Sequence, residues 1–224
     1  MATLEKLLPN VSNEKQARIK KIVHVSDVYR TVVGELLVRF ILYKRYGCIQ
    51  EQLEFDKNLY GKPFLNKYPY FHYNIAHSGE WVVCAVDNSE IGVDVEKILP
   101  FDLQMAKGLF TEEEYWDLFN AKEDKNSAFY DIWTLKESYV KARGRGLSIP
   151  LDSFNVKIYN QHDIKLTDML TGKIINDFIC KKYRINNQYR LSVCANHDNI
   201  HQFEKLPILV SFNDMCNDLK ISLT

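Results

Sequence analysis

The sequence predicts an α+β protein in which long helices pack against antiparallel strands. Two stretches repeat apolar residues at helical spacing, and several short runs rich in Val, Ile, Phe and Tyr are bounded by turn residues. Each half of the chain contains one long helix and several such strands, which is an α+β pattern. No Gly/Ser-rich linker separates the halves, so we expect them to be tightly joined.

The first long helix is predicted over residues 26–46. Ser26 is the predicted N-cap and Gly47 the predicted stop. Between them apolar residues recur at helical spacing, and this face is predicted to lie in the core. The residues of this face are Val32, Val33, Leu36, Leu37, Phe40 and Ile41.

A strand hairpin is predicted over residues 71–86. An aromatic-rich run reaches His77-Ser78-Gly79 and returns as an apolar run. His77 therefore lies at a strand end, where a side chain can point into a cleft. The hairpin leads directly into a further strand.

That strand, residues 92–96, alternates apolar and acidic residues. Asp94 and Glu96 share one face, and Val93 and Val95 share the other. Considered alone, an acidic face of this kind is more often a solvated sheet surface.

Two further helices follow. Thr111 and Glu114 match a capping box, which predicts a helix start. Residues 127–142 form the next helix, which ends at the glycines after Arg143. On this helix Glu137 and Lys141 are four residues apart and share a face, a spacing that is more often a surface ion pair. If the helix meets strand 92–96, three carboxylates and one ammonium converge, and such a group can hold a divalent cation and a phosphate.

The C-terminal part of the chain is predicted to be rich in strands. These are residues 154–159, 178–185 and 189–195, the last two joined across Asn186-Asn187.

Composition excludes some classes of protein. The 224 residues include 29 basic and 29 acidic side chains, and this neutrality argues against broad nucleic-acid binding. Five cysteines form no Cys-x-x-Cys pair, and Cys84 and Cys194 are predicted to be buried thiols. No apolar run approaches the ~20 residues of a membrane span. We therefore expect a reduced, cytoplasmic protein without membrane contact.

A carboxylate site for magnesium fits the chain better than an imidazole site for zinc.

Together these motifs resemble those of the 4′-phosphopantetheinyl transferases, specifically the larger group II (Sfp-type) members. Those enzymes carry an N-x-S-H-S-x strand end, a G-[IV]-D-[IV]-E strand and a W-x-x-K-E-x-x-x-K helix in that order. The corresponding residues here are 74–79, 92–96 and 133–141. The resemblance extends to Gly61-Lys62-Pro63 and to residues 146–154, and covers roughly residues 12–196.

The resemblance implies two similar subdomains related by a pseudo-twofold, with the active site between them. Residues 1–90 would contact the phosphates of coenzyme A, and residues 91–224 would carry the metal-binding carboxylates and dock the carrier. The implied reaction moves phosphopantetheine from coenzyme A to a serine of an apo peptidyl or acyl carrier protein, leaving 3′,5′-ADP. The resemblance also implies that the reaction requires magnesium. We expect a monomer, with carriers of secondary metabolism as the main partners.

The resemblance also implies roles for individual residues. Asp94, Glu96 and Glu137 would hold magnesium, while Glu137 would instead, or also, take the serine proton. Lys141 would meet the diphosphate and stabilise the leaving group. Lys62 and His77 would contact phosphates of coenzyme A, Lys15 and Arg18 its 3′-phosphate, and Thr31 would lie near the adenine.

Residues 144–178 correspond to the carrier-docking region of the family. Leu147, Ile149 and Phe154 either supply apolar contacts to a carrier helix or pack this loop against the body of the protein.

Two departures from the family keep alternatives open. Ala76 replaces the usual serine before the histidine, and the chain lacks the opening strand of the family. A non-catalytic module that binds coenzyme A or a carrier is therefore one alternative. A magnesium-dependent phosphodiester hydrolase is another, although the neutral charge disfavours it.

Overall fold

The structure, a computed structural model, describes residues 4–47, 53–122, 124–160, 163–197 and 203–223, without the side chain of Leu147. The described residues combine helices with antiparallel strands, which confirms the predicted α+β class. None of the described helices is both long and apolar enough to cross a membrane. The helices are α1 (Leu4–Leu7), α2 (Asn13–Ile19), α3 (Val25–Tyr46), α4 (Leu103–Lys107), α5 (Glu112–Phe119), α6 (Lys125–Arg143) and α7 (Phe212–Asp218).

The strands form several small sheets. The strands are β1 (Asp56–Lys57), β2 (Pro63–Phe64), β3 (His72–Ser78), β4 (Trp81–Asp87), β5 (Ile91–Lys97), β6 (Phe154–Ile158), β7 (Ile164–Asp168), β8 (Ile179–Tyr183) and β9 (Tyr189–Ala195). The pairs β3–β4, β8–β9, β5–β9 and β6–β7 are antiparallel, and β9 is the central strand of the sheet β5–β9–β8.

The chain divides into two compact units, neither of which is continuous in sequence. We call the first the helical unit; it comprises Met1–Asp56, Leu65–Pro69 and Pro207–Thr224. The second, the mixed unit, comprises Lys57–Phe64 and Tyr70–Leu206. The predicted boundary near residue 90 and the pseudo-twofold remain predictions.

Helix α3 is the main element of the helical unit. It ends as predicted at Gly47, whose φ of 64° is the left-handed conformation that favours glycine. The predicted N-cap Ser26 is wrong. The extended residue that precedes the helix is His24, whose carbonyl accepts hydrogen bonds from the Asp27 and Val28 amides, so Ser26 already lies inside the first turn.

The core of the helical unit combines described residues from the N-terminal and C-terminal segments of the chain. Leu4–Leu7 and Leu8–Asn10 are helical turns. Helix α7, which the sequence did not predict, also packs into this core. The buried residues of this core include Leu7, Ile19, Val32, Leu36, Met215 and Cys216.

The mixed unit is built in layers around the sheet β5–β9–β8. Helix α6 covers one face, where Thr134 and Ser192 hydroxyl oxygens are 2.8 Å apart. On the other face the hairpin β3–β4 contributes Ala76, which packs in one apolar cluster with Val93 and Val95. Because side chains alternate along β5, Gly92, Asp94 and Glu96 all face α6.

The other predicted elements are close to those observed. The capping box at Thr111 is complete, since Thr111 and Glu114 each accept from the other's backbone amide. Helix α6 begins at Lys125 after an Asp124 cap and ends at Gly144. The strand pair β3–β4 matches the predicted hairpin, and β9 has the predicted bounds. Strand β7 was not predicted.

Candidate active site

Gly92 brings β5 and α6 into unusually close contact. A Cβ atom at Gly92 would lie 2.1 Å from the Ser138 carbonyl oxygen and 2.3 Å from the Ala142 nitrogen. Only glycine, which has no side chain, fits there. Asp94 and Glu96 lie on the same face of β5 as Gly92, so the close contact places them next to α6.

A buried ion pair anchors α6 on its other side. Lys136 is fully buried, and its Nζ lies 2.7 Å from Glu114 Oε1. The same ammonium donates to the carbonyl oxygens of Leu151 and Phe154. The motif lysine before Glu137 is therefore structural, since every contact it makes lies within the packed interior.

Asp94 and Lys141 form the central contact of the site. Lys141 Nζ lies 2.5 Å from Asp94 Oδ1. Asp94 is only 3% exposed, and its second oxygen, Oδ2, is buried with no hydrogen-bond partner among the described residues. Burial raises the pKa of Asp94, and the charge of Lys141 opposes that rise.

Glu96 is held by a residue of the neighbouring hairpin. Ser78 Oγ donates to Glu96 Oε2 at 2.8 Å and accepts from the Lys97 amide at 3.0 Å. Burial raises the pKa of Glu96, the charges of Asp94 and Glu137 raise it further, and the Ser78 hydrogen bond lowers it. The carboxylates of this group therefore interact with one another electrostatically.

Glu137 completes the acidic group from the side of the helix. It is half-buried on α6, one turn before Lys141. Burial raises its pKa, Lys141 lowers it and Asp94 raises it. We name Asp94, Glu96, Glu137 and Lys141 the acidic cluster.

The acidic cluster is chemically suited to a divalent cation. The described residues contain no set of three or more His, Cys, Asp or Glu side chains already in metal-binding geometry. The buried oxygen Asp94 Oδ2 nevertheless lacks a partner, and the carboxylates raise one another's pKa. A hard cation with oxygen ligands would relieve both conditions.

His77 lies on β3, near the turn into β4. It is exposed, and its charge lowers the pKa of Asp94, so it acts on the acidic cluster electrostatically. The turn is fixed by Tyr189, whose hydroxyl accepts from the Glu80 amide at 3.1 Å. Gly79 has φ +55°, and a Cβ there would lie 2.2 Å from the Tyr189 hydroxyl oxygen.

Lys62 belongs to the mixed unit, but its ammonium contacts backbone rather than open solvent. Its Nζ donates to the carbonyl oxygens of Lys141 at 2.7 Å, Ala142 at 3.0 Å and Ile91 at 3.0 Å. A contact with a phosphate of coenzyme A remains a prediction.

Lys15, Arg18 and Thr31 belong to the helical unit. Lys15 and Arg18 lie on α2, which Ser12 caps, and Thr31 lies on α3. Glu35 of α3 accepts from the Ser12 amide at 2.7 Å and from its hydroxyl at 2.8 Å, and this joins the two helices. Their roles in binding coenzyme A remain predictions.

Of the apolar residues predicted for the carrier-docking region, Phe154 belongs to the interior. It is 2% exposed and packs with Tyr139 in the core under α6. Ile149 is half-buried against the same cluster, and the side chain of Leu147 lies outside the described residues. For Phe154 and Ile149 the packing alternative is therefore the observed one.

Two residues of the site received no role from the sequence. Ser78 was visible only as part of the His-Ser-Gly turn, and its partner Glu96 is 18 residues away. Tyr130 precedes Glu137 by seven residues on α6. Burial raises its pKa, and the charge of Glu96 raises it further. The available signal was that Asn74 and Ser78 lie four residues apart on β3 and therefore share a face, because Asn74 Oδ1 similarly accepts from the Val93 amide.

Carboxylates and an ammonium lie together at the contact between a strand and a helix. Sites of this class act on phosphate groups. Comparison with known proteins then identifies the family. Residues 90–194 match the model of the 4′-phosphopantetheinyl transferase superfamily, and residues 1–89 match a 4′-phosphopantetheinyl transferase N-terminal model.

Individual relatives agree with these models. The chain is 36% identical over 214 residues to 4′-phosphopantetheinyl transferase Sfp of Bacillus subtilis, which covers 94% of this chain and 92% of the relative. A 4′-phosphopantetheinyl transferase of Bacillus subtilis is 37% identical, covering 86% and 85%. The gsp transferase of Aneurinibacillus migulanus is 45% identical, covering 66% and 62%. The chain belongs to the 4′-phosphopantetheinyl transferase superfamily, as its motifs predicted.

Proposed function

We propose that this enzyme transfers the 4′-phosphopantetheine group of coenzyme A to a serine of an apo peptidyl or acyl carrier protein. The products are the holo carrier protein and 3′,5′-ADP. The observation that carries the proposal is the acidic cluster, in which Lys141 contacts Asp94 while Glu96 and Glu137 interact with Asp94 electrostatically. The names of the relatives support the same reaction.

Magnesium is part of the proposal. Asp94, Glu96 and Glu137 would hold the ion, and the unpartnered oxygen Asp94 Oδ2 supports this assignment. When bound, the ion supplies charge neutralisation for the pyrophosphate.

The chemical step requires a base and a cation from the chain. The serine oxygen forms a bond to the phosphorus that bears pantetheine, and the bridging P–O bond of the pyrophosphate breaks with its electron pair leaving on 3′,5′-ADP. Glu137 takes the serine proton directly or through water. Lys141 offsets the negative charge that develops on the leaving group.

The remaining assignments complete the proposal. His77 contacts a phosphate of coenzyme A, and Lys15, Arg18 and Thr31 keep the roles that the family implies. Residues 144–178 dock the carrier through surface residues other than Phe154. The enzyme acts as a monomer in the cytoplasm.

The test is a mass spectrum of apo carrier protein after incubation with coenzyme A, magnesium and the enzyme, beside a control with EDTA. We expect the carrier to gain one phosphopantetheine group, and we expect EDTA to abolish the gain. Failure with several carrier types, using folded protein, would support a non-catalytic binding module instead.

The role of Glu137 is tested in the same assay with Glu137→Gln. We expect the transfer rate to fall ~10²- to 10⁴-fold, the usual contribution of a general base. The matched control is Glu113→Gln, an exposed glutamate on α5, which should transfer at the wild-type rate. Full activity in folded Glu137→Gln would refute the assigned mechanism.

A further inference from the structure

The carbonyl groups at the C-terminal end of α6 have an unusual partner. The last carbonyl groups of a helix carry the negative end of the helix dipole. Here Lys62 Nζ donates to the carbonyl oxygens of Lys141 at 2.7 Å and Ala142 at 3.0 Å, and the Lys141 carbonyl also accepts from the Gly144 amide that caps the helix. The same ammonium also donates at 3.0 Å to the carbonyl oxygen of Ile91, the first residue of β5.

Asn58 holds Lys62 in this position. Its Oδ1 accepts from the amides of Tyr60 and Lys62, each at 2.9 Å, and this shapes the turn that precedes β2. Its Nδ2 donates to the Gly144 carbonyl oxygen at 2.8 Å, one residue beyond α6. Gly144 is closely approached as well, because a Cβ there would lie 2.9 Å from Lys62 Cδ. The turn is therefore built against the end of the helix.

The hydrogen-bonding capacity of the ammonium is fully used. A lysine ammonium has three N–H donors, and three carbonyl oxygens lie within 3.0 Å of Lys62 Nζ. No donor is left for a phosphate oxygen while these contacts persist. The side chain is half-buried, so moving the ammonium to a phosphate would break three hydrogen bonds to carbonyl oxygens of α6 and β5.

We propose that Lys62 is a positioning residue that ties the last turn of α6 to the first residue of β5, and so holds Lys141 against Asp94. Lys141 and Asp94 are carried by the two backbone segments that Lys62 joins, because Ile91 lies three residues before Asp94. Insofar as Lys141 acts in the transfer reaction, this inference rests on the proposed function. The contact itself is independent of any substrate.

The first experiment measures amide hydrogen exchange without coenzyme A. In Lys62→Met we expect faster exchange over residues 140–146 than in the wild type, with exchange over 25–46 unchanged. Lys57→Met, an exposed lysine of the same segment, is the matched control and should behave as the wild type. Asn58→Ala should produce the same change in smaller degree. Unchanged exchange at residues 140–146 in both Lys62→Met and Asn58→Ala would overturn the proposal, even if the transfer reaction is confirmed.

The second experiment separates positioning from phosphate binding. We expect Lys62→Met to lower kcat by ~10- to 100-fold, because a displacement of about 1 Å in a reacting group can cost ~10²-fold. The KM for coenzyme A should change little. In a Lys141→Ala background the same substitution should have almost no further effect on kcat. A raised KM with unchanged kcat, or fully additive effects, would instead make Lys62 a ligand of coenzyme A. If the wild type itself shows no transfer, the proposed function fails while the exchange experiment still decides the role of Lys62.

Discussion

At the scale of single residues, the acidic cluster depends on neighbours that have no charge of their own. Ser78 is the clearest case, since one hydroxyl joins Glu96 to the backbone of the next residue, Lys97. Groups that orient a metal ligand commonly affect metal binding nearly as strongly as the ligand itself. The hairpin therefore orients the Glu96 carboxylate through the hydroxyl of Ser78.

Removal of this hydroxyl should weaken metal binding. For Ser78→Ala we expect the affinity for Mn²⁺, used as a probe for magnesium, to fall ~10- to 100-fold. The measurement is calorimetric titration of the apo protein. Ser78→Thr keeps a hydroxyl and should restore most of the affinity. Equal affinities in the wild type and Ser78→Ala would show that Glu96 needs no such support.

The raised pKa of Glu137 predicts a pH-dependent stability. An acid whose pKa is higher in the folded than in the unfolded protein stabilises the fold at low pH, and this contribution is lost as the pH rises through the folded pKa. Without metal, Glu137→Gln should therefore be more stable than the wild type at pH ~7.5, and the difference should shrink as the pH falls toward the ordinary glutamate value of 4.5.

The measurement is urea unfolding in EDTA at several pH values. Glu112→Gln, which alters an exposed side chain at the start of α5, serves as the control. A stability difference for Glu137→Gln that stays constant with pH would contradict this explanation.

At the scale of elements, the contact between β5 and α6 determines where the acidic cluster forms. The helix is fixed at three places: by the Lys136–Glu114 pair, by the Thr134–Ser192 contact and by Lys62 at its end. Between the Thr134–Ser192 contact and Lys62, Gly92 permits the strand to lie against the helix backbone. Lys141 reaches Asp94, and Asp94 and Glu137 interact electrostatically, because the two backbones are this close.

A methyl group at Gly92 should separate the two elements. We expect Gly92→Ala to lower the free energy of unfolding by ~1–3 kcal/mol, the usual cost of overpacking. The atoms that the new methyl group would meet belong to the backbone of α6 and cannot move aside as a flexible side chain could. Chemical denaturation measures the change. Gly108→Ala is the matched control, since its nearest neighbour would be 3.9 Å away, and its effect should stay within about 0.5 kcal/mol. Equal stabilities of the two variants would contradict the close contact.

At the scale of the whole molecule, each compact unit is assembled from distant parts of the chain. The helical unit takes its core from the N-terminal segment, α3 and the C-terminal helix α7. Loss of the C-terminal contribution should therefore loosen helices that lie near the other end of the sequence.

Met215 on α7 tests this assembly. It is 2% exposed in the core of the helical unit, so Met215→Ala should cost about 2–5 kcal/mol. Hydrogen exchange should become faster over α3, as measured by mass spectrometry. Asn213→Ala, at an exposed position of the same helix, is the control. Unchanged exchange over α3 in Met215→Ala would show that α7 is not needed for this core.

Local signals made several elements predictable. The Thr111–Glu114 capping box and the glycines that end α3 and α6 involve residues close in sequence, and all three were correct. Ser26 failed as an N-cap because the chain leaves its extended conformation two residues earlier, at His24. Helix α7 and strand β7 were missed because their short apolar patterns gain significance only from the cores they join.

The sequence by itself determined the α+β class, the family and the identity of the acidic residues, because alternation along a strand and spacing along a helix are local properties of the chain. Only the tertiary structure decided what meets those residues. The Ser78–Glu96 hydrogen bond and the burial of Phe154 depend on segments that are far apart in sequence. Lys62 shows the difference most clearly. The Gly-Lys-Pro turn predicted a phosphate contact, which remains a prediction, whereas the contacts of its three donors with carbonyl oxygens of α6 and β5 could be found only in the fold.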